Sequence, residues 1–251
     1  MREEKRIDFN TGSGSGRQDD PSRPQFGGES GGRSPGGPLR SPTGGTGPEF
    51  TLSDPVVSFI RTARSLVLNP VGFFRGMARR GDFINSAVFA VICALISALL
   101  GGILSIILTP LFAGSGDTGE AFAGGVVGFV TSLILTPIYA VIALMIGAGI
   151  LHLLVLLFAR PSNAGFEATF RVVTYSWVYQ LVSWIPIIGW LVAPIWGIVL
   201  LVFGIREVHN TTTGQALLIV LIPVGVVILL ILLLVSIGIG AALFLRSQQE
   251  F

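Results

Sequence analysis

Gln215-Ala-Leu-Leu-Ile-Val-Leu-Ile-Pro-Val-Gly-Val-Val-Ile-Leu-Leu-Ile-Leu-Leu-Leu-Val-Ser-Ile-Gly-Ile-Gly-Ala-Ala-Leu-Phe-Leu245 contains no charged side chain. Eighteen or more apolar residues in a row cross a ~30 Å hydrocarbon layer as a helix. Lipid offers no partner to an open N–H or C=O, so the backbone of such a stretch must satisfy itself, and helix is the form that does so within one segment. Working back from this run, the chain stays almost continuously apolar to about Ile84, broken by short polar hinges. The expected fold is an all-α, polytopic integral membrane helix bundle of about five transmembrane helices. Interfacial amphipathic helices and a disordered tail are expected to precede it.

The expected spans are residues 84–108, 121–159, 165–184, 188–205 and 215–245, within a membrane domain of 84–246. Small residues recur every fourth position in the first span, as Ser97, Gly101, Ser105 and as Ala94, Ala98, Gly102. These two ridges allow close helix approach, within the chain or in a homo-oligomer. Thr109-Pro110 is expected to end that span. The second is nearly twice as long as a bilayer requires, with Pro137 near its middle. No polar turn flanks this proline, which favours one kinked helix over two short ones. The third, Gly165 to Trp184, is the least apolar, with Glu167, Thr169, Arg171, Thr174, Ser176, Gln180 and Ser183. Ile185-Pro186-Ile-Ile-Gly189 is a tight break before the fourth.

Residues 1–50 hold 12 Gly, 6 Pro and 6 Ser with seven basic and seven acidic side chains. Such a segment buries too little surface to offset its chain entropy, and an unstructured cytosolic tail is expected, dispensable for folding but able to dock a protein partner. Residues 51–83 read as an amphipathic interfacial segment. Ser53 or Asp54 can cap a helix with Pro55 at its first position. Val56, Phe59, Ile60, Ala63 and Val67 then share one face. Asn69-Pro70 breaks it, and Phe73, Phe74 and Met77 with Arg75, Arg79 and Arg80 form a second short piece. Both pieces suit either an anionic leaflet, on which they would lie flat, or the cytosolic end of the bundle, which they would cap.

Orientation follows from the arginines. Arg61, Arg64, Arg75, Arg79 and Arg80 precede the first span, Arg160 and Arg171 lie at the 2–3 junction, and Arg206 opens the 4–5 loop, whereas the 1–2 and 3–4 hinges have none. That alternation predicts a cytosolic N-terminus and an external C-terminus. The net charge of +2 does not imply nucleic-acid binding. Cys93, the one cysteine, lies inside a span, so no disulfide framework or redox pair is expected. Fifteen of the sixteen basic residues are Arg, in keeping with a GC-rich bacterial genome and an inner-membrane location.

Four motifs carry a resemblance. They are Phe166-Glu-Ala-Thr-Phe170 with Arg171-Val-Val-Thr-Tyr-Ser176, Trp184-Ile-Pro-Ile-Ile-Gly-Trp190, Ile195-Trp-Gly-Ile-Val-Leu-Leu-Val-Phe-Gly-Ile-Arg-Glu-Val-His209, and Gln215-Ala-Leu. They resemble the Yip family of five-span membrane proteins, named for interaction with Ypt/Rab GTPases, and most closely its bacterial branch. Eukaryotic members carry an Asp-Leu-Tyr-Gly-Pro block before the first span, where this chain has Leu68-Asn-Pro-Val-Gly-Phe-Phe74. The resemblance therefore implies the fold and not the Rab-binding role.

Charged and imidazole side chains inside spans are costly and mark candidate sites. His152, Glu167, Arg171, Arg206, Glu207 and His209 are all expected near the inner leaflet, with Glu167 and Arg171 as an i, i+4 pair. They form either a structural network or a site for an anionic lipid headgroup or ion. With two histidines, there is no zinc-ligand spacing and no nucleophile–base pair, and no cofactor or catalytic role is expected. The functional expectation is a non-catalytic membrane organiser, trafficking-type or adaptor protein; the alternative is a small transporter, channel or lipid-moving protein using the polar face of the third span.

Overall fold

Prolines and an asparagine set the first helix boundaries. Pro55 and Pro70 open α1 (Pro55–Leu68) and α2 (Pro70–Gly76), where the missing N–H costs nothing. Asn69 between them caps α2, its side chain accepting from the Gly72 N–H at 3.0 Å. Next come α3 (Phe83–Phe112), α4 (Thr118–Phe158), α5 (Phe166–Ser176), α6 (Gln180–Ser183), α7 (Ile188–Val208) and α8 (Thr213–Gln249). Single 3₁₀ turns lie at Arg160–Ser162 and Trp177–Tyr179. This computed structural model describes residues 47–81, 83–112 and 118–249, all within one compact unit. Among them there is no β-strand.

Four helices are long and apolar enough to cross a membrane: Phe83–Thr109, Phe122–Phe158, Ile188–Val208 and Thr213–Ala241. α4 is a single helix of 41 residues with Pro137 inside it, about 62 Å long at 1.5 Å per residue. α3 does not stop at Thr109-Pro110 as expected but continues to Phe112.

The segment expected as a third apolar span is built differently. Residues 166–183 form α5, a 3₁₀ turn and α6 in succession, and every residue from Ala168 to Ser176 is buried. This segment runs parallel to α3. Phe83 meets Phe166 and Phe170 at ring-centroid distances of 6.4 and 5.3 Å, and further along Ser97 Oγ lies 2.7 Å from Ser183 Oγ. α7 returns antiparallel against it. A Cβ on Gly204 would lie 2.4 Å from Val172 Cγ1, and one on Gly197 would lie 2.7 Å from Tyr179 Cδ1, so these two glycines admit the close approach. Protein surrounds α5, so its polar residues meet protein instead of lipid, whereas no residue of α6 is buried.

The small-residue ridges of α3 are used inside the chain. Gly102 lies under the Phe129 ring of α4, and Gly101 faces Trp184.

α2 does not lie flat on a surface but packs on the bundle, the second of its two expected placements: Phe73 and Phe74 are fully buried beside Tyr175 and Phe89. Nor does the unpacked tail extend to residue 50, because Phe50 is fully buried against Phe89 at 6.0 Å. Tyr175 sits at the centre, 5.0 Å from Phe73 and 5.4 Å from Phe89. Aromatic contacts of this kind contribute about 0.5–1.5 kcal/mol per pair beyond area burial. The 47–50 segment is further tied by Gly47 N–H to the Gly76 carbonyl at 3.0 Å and by the Thr62 hydroxyl, which donates to the Pro48 carbonyl at 2.7 Å. Residues 1–46, the rest of the expected tail, lie outside the described residues.

Candidate functional site

Where α4 closes, α5 opens and α7 ends, the six sequence-selected residues fall into three separate networks rather than one site.

The first joins three elements through one hydroxyl. His152 Nδ1 on α4 lies 3.0 Å from Thr169 Oγ1 on α5, which lies 3.1 Å from His209 Nε2 at the end of α7. The Ala164 N–H donates to His209 Nδ1 at 3.1 Å. That bond makes Nδ1 of His209 the acceptor, so its Nε2–H donates to Thr169. The Thr169 hydroxyl has two acceptors within reach, His152 Nδ1 at 3.0 Å and the Gly165 carbonyl at 3.4 Å. A second proton on His209 would face the Ala164 N–H. Burial, with His152 and Arg79 nearby, pushes the His209 imidazole down to about 4.

The second network holds the buried guanidinium. Arg171 was expected to pair with Glu167 one turn away. It instead pairs with Glu49 of the N-terminal segment, the two side chains being 4% and 18% exposed. Glu49 also accepts from the Ala78 N–H at 2.6 Å. Glu167 accepts from the Gly81 backbone N–H. Burial raises the Glu49 carboxyl above its ordinary value, against the pull of Arg171 and the Ala78 amide. Arg171 Nε is buried with no hydrogen-bond partner among the described residues.

The third is a surface cluster. Glu207 accepts from Arg75 Nε on α2 at 3.1 Å and from Arg206 at 2.6 and 3.0 Å. Arg206 also lies over the Phe203 ring at 5.3 Å. Arg75 is 70% exposed, so water and salt screen this cluster.

Thr169 and Glu49 were not anticipated. A threonine two residues from Glu167 and Arg171 gave a hint of the first. Glu49 carried none, since it lies among Gly and Pro. Chemically, the networks lock helix ends together. No group of three or more His, Cys, Asp or Glu placed to hold a metal occurs among the described residues.

A family model described as the Yip1 domain matches residues 64–235. The chain belongs to the Yip family. No curated protein and no solved structure matches it. The Yip1 match runs from the middle of α1 into α8 and contains all six selected residues and Thr169. Glu49 lies outside it. The buried arginine of the Yip1 domain is thus neutralised by an acid that precedes the matched region.

Proposed function

We propose that this Yip family protein is a non-catalytic membrane organiser or adaptor of the bacterial inner membrane. Its N-terminus is cytosolic and its C-terminus external, and it shapes the bilayer or recruits a partner through the N-terminal tail. The observation that supports this reading over transport is the state of the polar face of α5. A channel or lipid-moving protein needs that face open to water or to headgroups. Here Thr169, Arg171, Thr174 and Ser176 are all buried. Thr169 serves the two histidines and Arg171 serves Glu49, while the Thr174 and Ser176 hydroxyls donate to the carbonyls of Arg171 and Val172 at 3.0 and 2.7 Å. The face is thereby consumed by structure.

The orientation rests on Arg75, Arg79, Arg80, Arg160 and Arg206 gathering near one end of the bundle. It includes the 166–183 segment as a fifth crossing, because that segment follows α3 from Phe83 to Ser97.

Reconstitution into liposomes tests the reading. Ion and fluorescent-lipid flux are measured with and without the purified chain, and rates at the protein-free background are expected. Protein-dependent flux of either would replace the organiser by the transport class.

A further inference from the structure

α1 is built inside out. Its inward residues, Ser58, Thr62 and Leu66, are one turn apart, and two of the three are polar. Thr62 holds the Pro48 carbonyl, while Ser58 exchanges two hydrogen bonds with the Thr51 backbone at 3.0 and 3.1 Å. Phe59 packs on Phe89 at 5.2 Å, but most of the large apolar side chains point the other way: Val56, Ile60 and Leu68 are 68, 60 and 69% exposed. At 100° per residue Val56, Ile60 and Leu68 cover an arc of about 120°, with Arg64 inside it and Arg61 about 20° beyond its edge. Both arginines are exposed, and neither belongs to an ion pair among the described residues. Beside them runs a groove of about 500 Å³, walled by Pro48, Val57, Ile60 and Leu68 with Arg61 and Arg64 at its edge.

We propose that this groove holds an anionic phospholipid. The headgroup phosphate sits between Arg61 and Arg64, three residues apart on one face, and an acyl chain lies along Val57, Ile60 and Leu68 against Pro48. Charge complementarity selects an anionic lipid: two adjacent guanidinium groups have no counter-charge among the described residues, and a zwitterionic headgroup brings its own cation to its phosphate. The apolar wall selects a lipid over a free anion. The site lies apart from the six residues selected from the sequence and does not depend on the organiser reading, since a transporter could hold the same lipid. It also touches the rest of the fold. Pro48 is next to Glu49, so a chain seated against Pro48 braces the segment that neutralises Arg171.

The test is a melting series of the full chain in neutral detergent with phosphatidylglycerol, phosphatidylcholine, glycerol phosphate or inorganic phosphate added. Phosphatidylglycerol is expected to raise Tm saturably, with no comparable rise from the other three. Arg61→Gln/Arg64→Gln should melt as the native chain does without lipid, because both residues are exposed. It should need about thirtyfold more phosphatidylglycerol for half the effect. Ile60→Asn should weaken the response while leaving both arginines in place. Arg79→Gln/Arg80→Gln should respond as native. The proposal is overturned if the Arg61/Arg64 variant keeps the native response, if the Arg79/Arg80 variant loses it, or if glycerol phosphate reproduces it.

Discussion

Glu49 and Arg171 are 122 positions apart in sequence and close on each other inside the bundle. The arginine leaves α5 toward the aromatic centre, and the acid reaches it from an extended segment anchored by Phe50 on one side and the Gly76 carbonyl on the other. Removing one member of a buried pair strands the other charge.

Glu49→Ala is therefore predicted to destabilise the chain by about 3–5 kcal/mol. Glu49→Ala combined with Arg171→Leu should cost clearly less than the sum of the two single changes, since no charge is left stranded. Chemical or thermal unfolding of the four proteins in one detergent measures this. Additive costs would show that the pair is not coupled.

His209 gives the pH dependence. Folded, it titrates near 4, whereas unfolded it takes a proton near 6.5, so the unfolded chain binds more protons between those values. Its contribution is fully present above about pH 6.5 and drains as pH falls toward 4, at most about 3 kcal/mol in all. Melting curves of native and His209→Asn protein across that window should converge toward the acid end. Acid also acts on Glu49, whose carboxyl burial raises above its ordinary value, so the difference between the two proteins isolates the imidazole. A constant gap would refute the assignment.

Gly204→Ala puts a methyl group into Val172, with Phe74 Cε1 3.2 Å away, so neither side can retreat freely. A loss of about 1–3 kcal/mol is predicted. Gly149→Ala, with nothing within 4 Å of its Cβ, should be neutral or stabilising by up to about 1 kcal/mol through helix propensity. The Tm of each variant decides, and equal Tm values would contradict the close contact of α7 with α5.

Topology is read with an impermeant thiol reagent on intact cells in a Cys93→Ser background. Gln248→Cys should be labelled, while Ser162→Cys and Thr212→Cys should require permeabilised cells. If the 166–183 segment did not cross, Thr212→Cys and Gln248→Cys would exchange behaviour.

The helical membrane class was legible because it depends on apolarity alone. α4, α7 and α8 begin and end within a few residues of the runs that announced them, and α3 overran its Thr109-Pro110 stop. Local spacing misled in two places. Glu167 and Arg171 stand one turn apart, but a buried guanidinium goes to whichever carboxylate the tertiary fold brings to it, and Glu49 arrives from outside any periodic element. On α1 the apolar pattern was visible, but not which side faced inward, because in a membrane protein lipid and core attract the same residues. Phe50 was hidden by its Gly- and Pro-rich surroundings, which argue against packing on average and say nothing about one aromatic ring.

The burial of α5 by α3, α4 and α7 also constrains how the chain is made. A segment carrying Glu167 and Arg171 partitions poorly into lipid alone, since an arginine costs about 2.5–3.5 kcal/mol at a helix centre on insertion scales and a lesser amount toward the helix end. Its shield is complete only once α7 has been synthesised. The segment must wait beside the translocon, or lean on α3 and α4, until its C-terminal neighbour arrives. An insertion assay on nascent chains ending after Ser183 and after Val208 should find it integrated only in the longer one. Integration in both would mean that α3 and α4 suffice.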